Sequence, residues 1–159
     1  MTFIIRNATK NDMPQVLTLI NELAVFEKEP DAVEITLKDL EQDGFGKNPA
    51  FHCFVAEADN KIKGMALVYF RYSTWKGKAL HLEDLIVSKD MRGSGIGSAL
   101  LDEVVKYGYS LGVKRINWEV LDWNESAIIF YEKKGATIMR DWNVVHLNEQ
   151  AIKNYISKL

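Results

Sequence analysis

The amino-acid sequence predicts a single domain of the mixed α/β (α+β) class, in which helices and strands are interleaved. Strand-like and helix-like hydrophobic patterns follow one another in the order β, α, α, β, β, β, α, β, α, β. A glycine-rich segment, Arg92–Ser98, joins an apolar run ending at Val87 to an amphipathic stretch from Ala99 to Leu111. The length of 159 residues suits one domain with a sizeable core, so we expect residues 1–159 to fold together.

The composition narrows the class of protein. Hydrophobic residues make up 47% of the chain and charged residues 26%, which is typical of a soluble globular protein. The net charge of -2 argues against a nucleic-acid surface, which usually carries a basic face. No apolar run approaches the roughly 18 residues of a membrane span, and no signal peptide is indicated. We therefore expect neither nucleic acid nor membrane as a partner.

The cysteine and histidine residues indicate neither a disulfide nor a metal site. Cys53 is the single cysteine and cannot form an internal disulfide, which fits a reducing cytoplasm. The three histidines, His52, His81 and His146, lack the spacing of metal ligands. The sequence predicts a cytoplasmic protein without a metal.

The first half of the chain predicts a short strand, two helices and an antiparallel hairpin. Asn11 or Asp12 provides the N-cap of the first helix, Pro14 fits its first turn, and Pro30 prevents its continuation. Thr36 can cap the second helix. The predicted bounds are 3–6 for the strand, about 26 for the end of the first helix, 37–43 for the second, and 51–58 and 62–72 for the hairpin.

The second half predicts further strands and three helices. Gly112 closes the helix that follows the glycine-rich segment, and Asn124 and Gly135 bound the next one. The predicted bounds are 79–87 for a strand, 95–111 for a helix, 114–121 for a strand, 137–147 for one or two strands and 148–156 for a last short helix.

The glycine-rich segment is a candidate phosphate-binding loop. Gly93, Gly95 and Gly97 leave the backbone uncovered where a helix begins, so N–H groups can point at one anion, favoured by the helix dipole. An ordinary flexible loop is the alternative. A dinucleotide fingerprint is excluded because Ser98 stands where its last glycine should be, and a P-loop because no lysine follows Gly97. The remaining spacing is Arg-x-x-Gly-x-Gly.

Two carboxylates interrupt an otherwise apolar strand. Glu83 and Asp84 lie within 79–87, where adjacent side chains face opposite sides of a sheet unless a bulge intervenes. Charges in an apolar strand are costly without partners. The pair indicates either an edge strand with solvated acids or a site for a cationic substrate.

Asn124 and Tyr131 lie seven residues apart and project from nearly the same helix face. A phenol, with a reference pKa near 10, can donate a proton to a thiolate. Composition alone favours the simpler interpretation, in which Tyr131 packs in the core with its hydroxyl hydrogen-bonded.

The chain resembles the GCN5-related N-acetyltransferases (GNAT), and within them the diamine (spermidine/spermine) and thialysine Nε-acetyltransferase branch. The Arg-x-x-Gly-x-Gly spacing of residues 92–97 resembles the family's acetyl-CoA pyrophosphate loop, and Asn124–Tyr131 resembles the family's Asn-x-x-Ala-x-x-x-Tyr. The blocks that carry the resemblance are 41–46, 52–57, 82–84, 92–98 and 122–124. The resemblance implies a mostly antiparallel sheet flanked by helices, with a splayed parallel strand pair that admits acetyl-CoA.

The resemblance also implies roles for individual residues. Glu83 is the base that acts on the amine, directly or through water, and Tyr131 is the acid that protonates the coenzyme A sulfur. The residues expected to bind acetyl-CoA are Leu85, Ile86, Val87, Arg92, Gly93, Ser94, Gly95, Ile96, Gly97, Ser98, Asn124 and Ala127. The residues expected to line the acceptor site are Phe26, Glu27, Trp75, Asp84 and Glu119.

One departure from the polyamine enzymes bears on the acceptor. They carry Asp-Pro-Trp before the catalytic strand, whereas this chain has Ser73-Thr74-Trp75, which resembles the thialysine branch. We therefore rank a lysine-like or small primary amine above spermine. Cys53 is a poor covalent carrier, since nothing nearby lowers the pKa of its thiol. An acyl-CoA-binding sensor without turnover is the alternative function, and the family is commonly homodimeric.

Overall fold

The computed structural model describes residues 2–159; Met1, the first residue of the predicted domain, lies outside the described part. Five strands form one sheet in the order β1-β2-β3-β4-β5. The strands are β1 (Ile4–Asn7), β2 (His52–Ala58), β3 (Lys61–Ser73), β4 (Gly77–Val87) and β5 (Ile116–Asn117). The helices are α1 (Met13–Phe26), α2 (Leu37–Phe45), α3 (Ile96–Ser110), α4 (Glu125–Lys133) and α5 (Glu149–Ile156). The chain divides into two compact units, one extending to Glu119 and the other formed by Val120–Leu159.

The predicted helix starts are confirmed. Asp12 is the N-cap of α1, and Pro14 lies in its first turn. Thr36 caps α2 by accepting a hydrogen bond from the backbone N–H of Asp39, whose carboxylate accepts in return from the Thr36 N–H at 2.8 Å. This reciprocal pairing satisfies two N–H groups that would otherwise lack acceptors.

The sheet of the first unit has helices on both faces. Side chains of neighbouring strand residues point to opposite faces. On one face, Cys53, Val55, Met65 and Leu67 form a buried cluster with residues of α1 and α2. On the other, Gly64 lies so close to α3 that an added Cβ would approach the Ile96 side chain to 2.9 Å. The core therefore consists of two apolar layers, which matches the predicted mixed α/β class.

All neighbouring strands are antiparallel except β4 and β5, which are parallel. The β2–β3 hairpin turns through Asp59 and Asn60, both with positive φ. Short polar side chains tolerate this left-handed conformation better than others, as the predicted tight connection requires.

The parallel pair is short. β5 pairs with β4 only at Leu80 and His81, so the remainder of β4, up to Val87, has no β5 partner within the described residues. The strand predicted at 114–121 is thus reduced to Ile116–Asn117. The alternation of apolar residues was correctly identified, but a strand persists only where a neighbour accepts its backbone hydrogen bonds.

The regular secondary structure of the second unit consists of the helices α4 and α5. Asn124 caps α4 and Gly135 follows it with a φ of 89°, as predicted. The one or two strands predicted at 137–147 were wrong, since these residues form neither strand nor helix. Most of their large apolar side chains are exposed, as at Val145, so they lack the half-buried surface that stabilises a strand. Over residues 2–159, no helix is long and apolar enough to cross a membrane.

Candidate active site

The loop between β4 and α3 has the backbone geometry of an anion site. Gly93 and Gly95 have φ of 78° and 90°, values that strain any residue with a Cβ. A Cβ built at either position would meet nothing within 4 Å, so the backbone there is open. Gly95 is the N-cap of α3, and the N–H groups of the first turn have no acceptor inside the helix. This arrangement suits a phosphate group.

Arg92 is held at the start of this loop by three contacts. Its Nε donates to the Val87 carbonyl at 3.3 Å, and Nη2 lies 3.8 Å from Glu22 Oε1. The guanidinium also lies 5.0 Å from the centroid of the Phe26 ring. The predicted acceptor residue Phe26 is therefore packed against the predicted cofactor residue Arg92.

Glu83 and Asp84 line the same pocket because β4 contains a bulge. Leu67 pairs with Asp84 and Val68 with Leu82, so Glu83 has no residue opposite it. The extra residue breaks the alternation of the strand. Both carboxylates border a pocket of about 270 Å³, whose other lining residues are Ile20, Ile35, Asp39, Leu40, Asp43, Phe51 and Leu67.

Burial raises the pKa of Asp84 to about 6, assisted by the nearby negative charges of Glu83 and Glu27. Desolvation also raises the pKa of Glu27 above its usual value. Unfavourable solvation and like charge both favour the neutral acid. A cation entering this region would relieve both effects, so the site attracts positive charge.

Glu83 has the opposite electrostatic environment. Its Oε2 lies 3.4 Å from Nε2 of His81, and this hydrogen bond, helped by another from Tyr69, lowers the pKa of Glu83 despite partial burial. Glu83 is therefore an ionised carboxylate at neutral pH, and about half of its side chain is exposed. Such a group can accept a proton from a bound cation.

Sequence reasoning missed several residues of this pocket. Asp39 and Asp43 lie one turn apart on α2 and add two carboxylates to the lining. The sequence offered Asp39 only as part of the Thr36 capping box, and that pattern does not indicate that Asp39 also borders the pocket. Tyr69 and His81 do not line the pocket but interact with Glu83; they carried no motif, although cross-strand pairing places them opposite each other.

The other predicted acceptor residues lie elsewhere in the first unit. Trp75 is in the β3–β4 turn and is 78% exposed, and Glu119 is exposed after β5. Neither borders the pocket that Glu83 and Asp84 share. Cys53 is buried, and burial raises the pKa of its thiol to about 12, so it is not a nucleophile.

The second unit contains the predicted residues Asn124, Ala127 and Tyr131. The Asn124 side chain accepts from the Ala127 N–H at 3.4 Å, which places Ala127 in the capped first turn of α4. Tyr131 follows on the same helix and is 8% exposed. Burial raises the pKa of its phenol to about 12, so the phenol keeps its proton at neutral pH.

The strands, the glycine loop and the carboxylate pair together define an acyl-CoA-dependent transferase, and the chain belongs to the acetyltransferase (GNAT) family, whose pattern matches residues 14–136. It is an N-acetyltransferase that moves an acetyl group to an amine, and the family implies acetyl-CoA as co-substrate.

Similar proteins support this assignment. The thialysine N-epsilon-acetyltransferase of Bos taurus is 37% identical, over 99% of this chain and 100% of that protein. The spermidine/spermine N(1)-acetyltransferase-like protein 1 of Homo sapiens is 36% identical, over 94% of this chain and 23% of that protein. An integron cassette protein from the mobile metagenome of V. cholerae has the same fold, with a TM-score of 0.81 at 21% identity, over 100% of this chain and 99% of that one.

The loop fits a coenzyme A pyrophosphate on structural grounds. The uncovered backbone at Gly93 and Gly95 leaves room for phosphate oxygens, and Arg92 adds a cation at the edge of the loop. The unpaired edge of β4 at Leu85–Val87 leaves backbone groups for the amides of pantetheine. Gly97 lacks the positive φ of Gly93 and Gly95, and a Cβ there would make an ordinary 3.5 Å contact with Val87.

Proposed function

We propose that the protein acetylates a primary amine of a small cationic acceptor, lysine-like or a diamine or polyamine, by direct transfer from acetyl-CoA. The observation that carries this proposal is the pocket of about 270 Å³ lined by Glu83, Asp84, Asp39 and Asp43. Four carboxylates and apolar walls suit an alkyl chain with one or two ammonium groups. The names of the two curated relatives, one for thialysine and one for spermidine and spermine, support the same acceptor class.

Glu83 and Asp84 perform different tasks in this proposal. An alkyl ammonium has a pKa of about 10.4, so a proton must be removed before the nitrogen can attack. The ionised Glu83 accepts that proton, directly or through a water molecule. Asp84 holds the ammonium end of the acceptor, because a cation compensates a carboxylate that is otherwise unfavourably buried.

Transfer forms a nitrogen–carbon bond and breaks the carbon–sulfur bond, and the leaving sulfur takes a proton. Acetyl-CoA supplies the acetyl group as an activated thioester. Tyr131 donates the proton, and the raised pKa ensures that the phenol is protonated when needed. Leu85–Val87 provide backbone groups for pantetheine, and Arg92–Ser98 bind the pyrophosphate. The resemblance to the family adds Asn124 and Ala127 as cofactor-binding residues.

The acceptor is identified by measuring coenzyme A release with thialysine, lysine, putrescine, spermidine and spermine. We expect release that depends on the amine, with higher kcat/KM for thialysine or lysine than for spermine. The supporting feature is Ser73-Thr74-Trp75, which lacks a carboxylate in the turn before β4. Tight acetyl-CoA binding with no product from any amine would overturn the proposal in favour of the acyl-CoA sensor.

We also propose that residues 1–159 act as one domain, that the protein is a cytoplasmic homodimer, and that it binds neither nucleic acid nor membrane. The family match at 14–136 spans both compact units, which supports one functional domain.

Exposed apolar side chains in the tail, including Trp142, Val145 and Leu159, provide a surface for a second copy. Light scattering in solution tests the dimer; a monomer at all concentrations would contradict it.

A further inference from the structure

His81 lies at the point where three strands meet beside the candidate base. It pairs with Tyr69 of β3 and with Asn117 of β5 in the strand registers. Its ring centroid is 5.0 Å from that of Tyr69, and its side chain is 6% exposed. A buried polar ring normally needs hydrogen-bond partners on both nitrogens. The two nitrogens of His81 face different groups.

The partners of Nδ1 determine where the ring proton lies. Arg71 Nη1 is 3.4 Å from Nδ1, and the Asn117 side-chain amide nitrogen is 2.7 Å away. A guanidinium has only donors, so the nitrogen that faces it must be an acceptor. The proton of the imidazole therefore lies on Nε2.

Nε2 of His81 faces Glu83. The Nε2–Oε2 distance is 3.4 Å, and the carboxylate is the acceptor. Glu83 is the bulged residue of β4, so no cross-strand residue opposite it fixes its position. Its orientation depends instead on side-chain contacts, of which those from His81 and Tyr69 are the main ones.

We infer that His81 is a positioning residue for Glu83: with its tautomer set by Arg71 and Asn117, it holds the carboxylate in the orientation that receives the amine proton. The inference rests on the proposed role of Glu83. His81 cannot itself be the base, because its one lone pair faces Arg71 and Asn117. A second effect is that the donated hydrogen bond favours the ionised form of the carboxylate.

Other charged and titratable groups also surround Glu83. They are Tyr69 and Arg71 on β3, Asp84 on β4, Asp39 and Asp43 on α2, and Glu119 after β5, which acts on Tyr69. The acidic groups oppose ionisation of Glu83. His81 makes the largest contribution that lowers the pKa of Glu83, so its removal should move the acid limb of the activity profile to higher pH.

Two variants test the inference with the best amine of the panel. His81→Phe keeps a ring beside Tyr69 but removes the donor, whereas His81→Gln restores an N–H group. We expect His81→Phe to lower kcat about tenfold and to shift the acid limb of the kcat/KM profile to higher pH. KM for acetyl-CoA should be unchanged, and His81→Gln should recover most of kcat.

A kcat and an acid limb in His81→Phe equal to those of the wild type would overturn the inference. His81 is buried and its substitution can prevent folding, so ¹⁵N NMR of the wild type provides an independent test, with signals assigned through His52→Gln and His146→Gln. We expect the proton on Nε2 of His81, and a proton on Nδ1 alone would overturn the inference. No coenzyme A release from the wild type with any amine would instead refute the proposed function.

Discussion

Glu83 and Asp84 are consecutive residues of one strand, yet both face the same pocket. The bulge opposite Leu67 and Val68 is what makes this possible, since regular pleating would direct them to opposite faces. Their electrostatic environments also differ, because His81 lowers the pKa of Glu83 whereas burial raises that of Asp84. Two carboxylates with pKa values moved apart can divide proton transfer and cation binding between them.

Glu83→Gln tests the base. We expect kcat at pH 7.5 to fall about 100-fold, because general base catalysis typically contributes that much or more. The deficit should shrink as the pH approaches the pKa of the free amine, since the acceptor then loses its proton without help. The measurement is kcat against pH for both proteins. A deficit that stays constant up to pH 10 would contradict proton removal by Glu83.

Asp84→Asn tests the binding of the ammonium group. We expect KM for the amine to rise about tenfold or more, since truncating one partner of a buried charge pair is costly. The kcat at saturating amine should change much less than in Glu83→Gln. Steady-state kinetics of the two variants side by side separate the roles, and a kcat loss confined to Asp84→Asn would reverse the assignment.

The raised pKa of Asp84 also predicts how the stability of the fold depends on pH. A carboxyl whose pKa is raised in the folded state binds its proton more tightly there, so the ionised form costs stability above about pH 6, a cost that disappears as the pH falls toward 4. Asp84→Asn should therefore raise the free energy of unfolding at pH 8 by about 2–3 kcal/mol. The gain should vanish near pH 4.

Urea titrations at the two pH values measure this difference. Asp90→Asn is the control, because Asp90 is an exposed carboxyl whose pKa is lowered by Lys63. It should give no gain at pH 8. An equal gain in both variants would mean that net charge, not the burial of Asp84, is responsible.

Tyr131→Phe tests the acid. The substitution removes one hydroxyl from a buried side chain of α4, and we expect kcat to fall about 100-fold while acetyl-CoA still binds. Tyr109→Phe is a matched control, since Tyr109 is 86% exposed on α3. Turnover is measured with the best amine and binding by calorimetry. Unchanged turnover in Tyr131→Phe would remove this residue from the acid role.

Gly95→Ala tests the loop. A Cβ at a φ of 90° costs about 1 kcal/mol and covers the backbone of the first turn of α3, so acetyl-CoA should bind at least tenfold more weakly. Gly112→Ala is the control at the other end of the same helix, where φ is 67°. It should cost similar stability and leave binding unchanged. Equal weakening in both would attribute the effect to strain in α3.

Much of the fold was predictable because its signals are local. Thr36 and Asn124 cap helices with their own side chains, and Asp59-Asn60 forms its turn with its own backbone. The strand at 114–121 and those at 137–147 were predicted less well. Strand formation requires a neighbour, and alternating apolar residues do not reveal whether the neighbour is present.

The sequence by itself determined the class of the protein, the glycine loop and the identity of Glu83, Asp84 and Tyr131 as candidates, since these depend on residue type and spacing. The tertiary structure decided what surrounds the candidates in the first unit. A bulge is a mismatch between two strands, and the pairing of His81 with Asn117 joins residues 36 apart. Neither leaves a local pattern, because each depends on register between segments that meet only in the folded chain.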